Sequence, residues 1–157
     1  MKKYILSFLL LLVIFTNTYS QTWPKVYIDP IYHSYGYSVN ETYDNGMSIL
    51  STCSNTEYVN GGWLIKTDVN GEVIWERTLG SRTKECSWFK MMQPTPDSGF
   101  IITFSTRYAE AAPFGPFGDA GYMKLNACGQ LDWCRIISDP GVDNFAQDVI
   151  EVSDGYI

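Results

Sequence analysis

Few residues of this 157-residue chain are of types that do chemistry, and their spacing decides what each could support. His33 is the sole histidine, in Tyr32-His33-Ser34-Tyr35, with Asp29 four residues upstream. A base beside a hydroxyl begins a nucleophilic site. Such a site also needs a group that orients the base and a turn that presents the nucleophile. The chain has no G-x-S-x-G, no paired histidine and no separable pair of carboxylates, so no catalytic residue is assigned. His33 is expected on the surface of a tyrosine-rich linker. Asp68-Val69-Asn70-Gly71-Glu72 places oxygen-bearing side chains at alternate positions, in the manner of a calcium loop. The full loop is missing, and a second copy reads Asn126-Ala127-Cys128-Gly129-Gln130, without acids. A hairpin turn is expected there, with no metal and no cofactor.

Cys53, Cys86, Cys128 and Cys134 lack the C-x2-C spacing of a zinc site. An even number in an oxidising compartment favours disulfides, with three possible pairings. Cys53 ends one strand and Cys86 opens another, and a bridge between adjacent blades is the expectation. Cys128 and Cys134 both lack counterparts in the first copy, which has Asn70 and Glu76, so they read as a pair. Geometry opposes them: six extended residues span up to ~20 Å, and a bridge tolerates ~6 Å. They could bond only if the turn curls back. Trp23, Trp75 and Trp133 could stack on carbohydrate. Their regular recurrence favours packing of one blade on the next, where an indole buries a large area.

The elements that must position these residues repeat. Gly61–Leu79, GGWLIKTDVNGEVIWERTL, reads as two alternating strands around a turn in which Asn70-Gly71 supplies positive φ. The hairpin recurs as Ala120–Ile137, AGYMKLNACGQLDWCRII. Each tryptophan is followed two residues later by a base, in Trp23-Pro24-Lys25, Trp75-Glu76-Arg77 and Trp133-Cys134-Arg135. A glycine turn then opens an apolar strand at Asp44-Asn45-Gly46, Asp97-Ser98-Gly99 and Asp154-Gly155, at offsets of 23, 24 and 22 from the tryptophan. Lys66 and Lys124 precede the hairpin turns and are separated by 58 residues, as are Trp75 and Trp133. Each unit reads as four strands, and four antiparallel strands at such a period mean β-propeller blades. The expected fold is all-β, a partial propeller of about two and a half blades. Its parts are an outer strand over 22–28, blades over 38–80 and 87–138, and a partial blade over 144–157. Residues 22–28 match the outer strand with which a propeller closes its ring. A closed ring needs at least four blades, so the chain reads as the front part of a longer propeller or a truncated frame. The Pro/Gly-rich insertion Ala109–Gly121 is its most distinctive loop, and loops on rigid scaffolds carry function.

Residues 1–20 read as a secretory signal peptide. Lys2 and Lys3 precede an apolar run over Ile5–Phe15, and Thr18-Tyr19-Ser20 offers a cleavage site. The run is too short to span a bilayer core. Two of the eleven basic residues leave with it, making a chain of formal charge −6 more acidic still. Nucleic acid is excluded as a partner, since phosphate contacts need a basic face. A secreted or cell-surface location follows, with the periplasm as the other compartment.

Asp97-Ser-Gly-Phe-Ile-Ile-Thr, Gly62-Trp-Leu-Ile-Lys-Thr-Asp and Asn70-Gly-Glu-Val-Ile-Trp resemble the propeller repeats of secreted Bacteroidetes-type proteins, over about residues 22–157. The hairpin is also similar to a pyrroloquinoline-quinone dehydrogenase repeat, in which a Gly-x-x-x-Trp turn docks a tryptophan on the neighbouring blade. The quinone and calcium ligands of those enzymes have no counterpart here. The resemblance implies a non-catalytic propeller-repeat protein for binding or scaffolding, its partner a carbohydrate, a surface protein or further blades. The alternatives are the front part of a secreted propeller enzyme, glycan-acting or quinone-dependent, and a fragment without separate function.

Overall fold

The computed structural model describes residues 24–54, 59–80, 85–108, 118–139, 142 and 144–157. The leader, Trp23 and most of the Ala109–Gly121 insertion lie outside the described residues. Two four-stranded antiparallel sheets are built one after the other. The first has strands β1 (His33–Glu41), β2 (Met47–Ser54), β3 (Val59–Thr67) and β4 (Val73–Leu79), in spatial order β1-β2-β3-β4. The second repeats that meander with β5 (Glu85–Pro94), β6 (Phe100–Tyr108), β7 (Ala120–Leu125) and β8 (Leu131–Ile137). A short hairpin follows, from β9 (Glu151–Val152) and β10 (Gly155–Tyr156). The described residues are all-β. No helix among them is long and apolar enough to cross a membrane.

Alternation sets which residues join the sheets, because successive side chains on a strand face opposite ways. Leu50, Leu64 and Leu79 of the first sheet meet Phe89, Met92, Phe100, Ile102, Phe104, Met123 and Leu125 of the second in one buried cluster. β5 lies against β1, β2 and β3. The approach is so close that a Cβ on Gly62 would stand 2.7 Å from the Phe89 ring. Within the second sheet a Cβ on Gly121 would stand 2.4 Å from the Phe104 ring. The opposite face of the first sheet carries Cys53, Trp63 and Ile65, covered by Tyr27 and Tyr32.

Two local expectations are corrected. His33 opens β1, paired with Ser54, and is not in a linker. A bulge at Gly36–Ser38 interrupts the alternation that marks the rest of β1 and hides its first half. In the β3–β4 turn only Gly71 has positive φ, at 75°. Asp68 and Glu72 close a three-residue loop, a type I turn ending in one left-handed residue, so Asn70 need not be left-handed. In the third unit, expected as a partial blade over 144–157, the ladder is short: Glu151–Val152 pairs with Gly155–Tyr156, and Ile150 and Ile157 exchange backbone hydrogen bonds of 2.9 and 3.0 Å.

The cysteines are likewise corrected: no disulfide forms among the described residues. Cys53 sits on the face packed by Tyr27 and Tyr32, its sulfur 3.5 Å from Ser34 Oγ. Thr52, its neighbour, faces the other way and donates to the Phe89 carbonyl at 3.2 Å. Cys53 therefore turns away from β5, the strand that carries Cys86, whose side chain lies outside the described residues. Cys128 and Cys134 are free thiols. Cys128 is exposed at the hairpin tip, and Cys134, opposite Met123 on β8, packs on the core, which pushes its thiol pKa up by burial.

Candidate functional site

The landmarks of the repeat form one clasp in each sheet. Thr42 and Gly46 pair across the β1–β2 turn, and Asn45 takes the left-handed position at φ 60°. Thr95, Gly99 and Ser98 do the same between β5 and β6, with Ser98 at φ 64°. In the first clasp Lys66 donates to both Asp44 carboxylate oxygens, at 2.8 and 2.9 Å, and to its neighbour's carbonyl, Thr67 O, at 2.9 Å. In the second, Lys124 donates to Asp97 at 3.0 and 2.7 Å and to Leu125 O at 3.1 Å. Thr42 and Thr95 hydroxyls add bonds of 2.6 and 2.5 Å to the same carboxylates. These lysine and threonine bonds hold Asp44 and Asp97 at a pKa of about 2. The glycines make room for the neighbouring strand and for the cation. A Cβ would stand 2.1 Å from the Thr67 carbonyl oxygen and 2.7 Å from Lys66 Nζ at Gly46, and 2.3 Å from the Leu125 carbonyl oxygen and 2.4 Å from Lys124 Nζ at Gly99, so the strand backbone demands glycine first and the cation second.

The second hairpin of each unit is closed by an Asx side chain. Asp68 Oδ1 accepts from the Asn70 and Glu72 amides, both at 2.8 Å. Asn126 Oδ1 accepts from Cys128 and Gln130, at 2.9 and 3.0 Å. An amide does this as well as a carboxylate, which explains how the second copy dispenses with the acids. The backbone bonds to Asp68 lower its pKa. No group of metal-ligating side chains occurs among the described residues.

The tryptophan landmark also has a structural cause. On a strand, residues two apart share a face, and Arg77 lies over the Trp75 ring at 5.2 Å and Arg135 over Trp133 at 6.0 Å. Each indole then meets the residue after the next unit's turn glycine. Trp75 touches Phe100 edge-on at 5.9 Å, and Trp133 touches Tyr156 at 5.4 Å. A guanidinium on each indole leaves little ring face for a sugar.

What the clasps create is a groove at the turn end of the sheets. Three adjoining cavities, of about 190, 380 and 540 Å³, share Tyr43 and Pro94 in their walls. Their polar lining includes Asn40, Glu41, Gln93, Ser98, Glu151 and Ser153, drawn from all three units. Tyr43 is 63% exposed. The repeat marks Asp44, Lys66 and Ser98 in its walls as turn landmarks and not as a site, whereas Tyr43, Gln93 and Pro94 carry no signal in the sequence. The walls come from turn ends some fifty residues apart, so their convergence shows only in the fold. A second cluster sits on the first strands of the two sheets, where Lys90 Nζ lies 5.3 Å from the Tyr37 ring and 5.6 Å from the Trp88 ring. His33 is exposed, and no described contact joins it to the groove.

Fold and site together define a class: an all-β protein of repeated four-stranded antiparallel sheets. Comparison with protein-family models, curated proteins and solved structures finds no match.

Proposed function

We propose that this chain belongs to an exported, non-catalytic propeller-repeat protein that binds a hydroxyl-rich ligand, carbohydrate by class, in the groove beside Tyr43. The reading rests on one recurring contact, the indole of each unit set against the residue that follows the next unit's turn glycine. Units that dock on their neighbours in one way build a curved array, and propeller blades do so with four-stranded meanders. Kinship with the Bacteroidetes-type repeats, export and a place at the cell surface belong to the same proposal.

The groove supports the ligand class. A tyrosine ring offers a flat apolar face to sugar C–H groups. Side-chain amides, hydroxyls and carboxylates around it match the alternating donors and acceptors of sugar hydroxyls. Thermal unfolding with a panel of neutral oligosaccharides, Ca²⁺ and pyrroloquinoline quinone tests this, since a specific ligand raises the melting temperature by mass action. A saccharide should raise it without being turned over, and Tyr43→Ala should weaken that binding about tenfold, roughly the worth of one aromatic contact. Stabilisation by Ca²⁺ or the quinone, release of a cleaved sugar, or indifference to every saccharide would overturn the proposal.

A further inference from the structure

The first strands of the two sheets carry the same irregularity. Gly36 pairs with Ser51 and Ser38 with Leu50, so Tyr37 is an extra residue in β1. Phe89 pairs with Phe104 and Met92 with Ile102, so Lys90 and Met91 together oppose Thr103. The two bulges are equivalent, because Tyr37 and Lys90 lie 53 residues apart, as do Asp44 and Asp97. A β-bulge takes a side chain out of the alternation and re-aims it. Here the two re-aimed side chains meet, with Lys90 Nζ 5.3 Å from the Tyr37 ring. Tyr35 and Trp88 are counterparts by the same spacing, and Nζ lies 5.6 Å from the Trp88 ring. Hydrogen bonds fix the bulges side by side. Ser38 Oγ and Asn40 Nδ2 both donate to the Met92 carbonyl, at 3.2 and 2.6 Å, and the Met91 amide donates to the Thr103 hydroxyl at 3.2 Å.

Lys90 is half-buried, and among the described residues no carboxylate pairs with it. Ring faces attract the ammonium but supply few of the acceptors that its three N–H groups take. Tyr35 and Tyr37 stay 60% and 47% exposed beside it. A ligand that suits this place carries an anionic group for the ammonium and a flat C–H face for the tyrosines. We propose that Lys90, Tyr35 and Tyr37 bind the acidic group and adjoining ring of an anionic saccharide, a uronate or a sulfate ester. The saccharide class rests on the groove beside Tyr43, and the charge rests on Lys90. Asn40 and Gln93, each three residues further along the same strands, line that groove. At ~3.3 Å per residue the two places are about 10 Å apart, within reach of one oligosaccharide.

Calorimetric titration separates the charge from the sugar. The probes are trigalacturonate, its neutral methyl ester, a sulfated trisaccharide and its unsulfated parent. One anionic ligand should bind at least about tenfold tighter than its neutral form, the scale of one charge-assisted hydrogen bond. Whichever pair shows the preference identifies the group as carboxylate or sulfate. Lys90→Met should erase the preference and Lys90→Arg should keep it, with the near-ultraviolet circular dichroism of both variants unchanged. In the unaltered chain, raising the salt from about 0.05 M to about 0.5 M should weaken the anionic ligand and leave the neutral one as it was. Equal binding of each anion and its neutral form, a preference that survives Lys90→Met, or one that salt does not touch would overturn the inference and leave the groove its role. A preference that needs Lys90 and ignores Tyr43→Ala upholds the Lys90 site and removes the groove from it. Failure of all four ligands to bind overturns both.

Discussion

Phe89→Ala should cost about 3–5 kcal/mol, the usual loss when a buried phenylalanine is truncated. Phe89 has no exposed surface. Its ring fills the space above Gly62 of the first sheet and lies 5.7 Å from the Phe104 ring of the second. The neighbours cannot collapse into the void, since Gly62 has no side chain to move and both sheets are fixed by ladders of hydrogen bonds. Against a total stability of about 5–15 kcal/mol for an ordinary domain, the loss is most of the margin. Urea unfolding should show a much lower midpoint with an unchanged slope. Both sheets should melt together, because the residue belongs to the core they share. Ile137→Ala, at a position 59% exposed, should shift the midpoint little.

Asp97→Ala is expected to destabilise by about 2 kcal/mol, and more than Lys124→Met does. The Lys124 side chain is 5% exposed, and without Asp97 its ammonium keeps only the Leu125 carbonyl. A charge stranded in this way costs ~3–5 kcal/mol at a fully buried pair. Here the cost is smaller because Asp97 is 61% exposed and water reaches its partner. Removing the lysine instead leaves a solvated carboxylate. The same pair predicts an acid limb. Asp44 and Asp97 have their pKa lowered from 3.8 to about 2 by their lysines first and their threonines second. A depressed carboxylate stabilises fully above its unfolded pKa and loses that contribution as pH falls toward the folded one. Stability should therefore drop between pH about 4 and about 2, and Asp44→Asn with Asp97→Asn should flatten that limb. Urea midpoints measured across that range check both expectations.

Much of the architecture was legible because the repeat wrote it more than once. Each unit is expected to hold four antiparallel strands, and each is a four-stranded antiparallel sheet, over His33–Leu79 and Glu85–Ile137. The third hairpin shows how much one residue matters. Its offset of 22, against 23 and 24, corresponds to a two-residue turn in which Val152 pairs directly with Gly155. Other features follow from what a neighbouring strand does, and no local pattern announces them. Gly46 and Gly99 look like turn glycines, yet the left-handed positions belong to Asn45 and Ser98, and the glycines are there because a Cβ would strike the Thr67 or Leu125 carbonyl and the lysine beside it. Cys53 is half of an attractive pair in the sequence. Alternation sets Cys53 with Ile49 and against Leu50 and Thr52; which of the two faces meets the second sheet is decided by packing that no local pattern announces. The groove was invisible for a further reason: its polar lining is ordinary residue by residue and gains meaning only when three turn ends are brought together.

Nuclear Overhauser spectroscopy on the tryptophans tests most directly the claim that one unit docks on the next through its indole. The packing predicts cross-peaks from Trp75 to the Phe100 ring and to Gly129, and from Trp133 to the Tyr156 ring. Indole cross-peaks confined to each tryptophan's own sheet, with none to Phe100 or Tyr156, would contradict it.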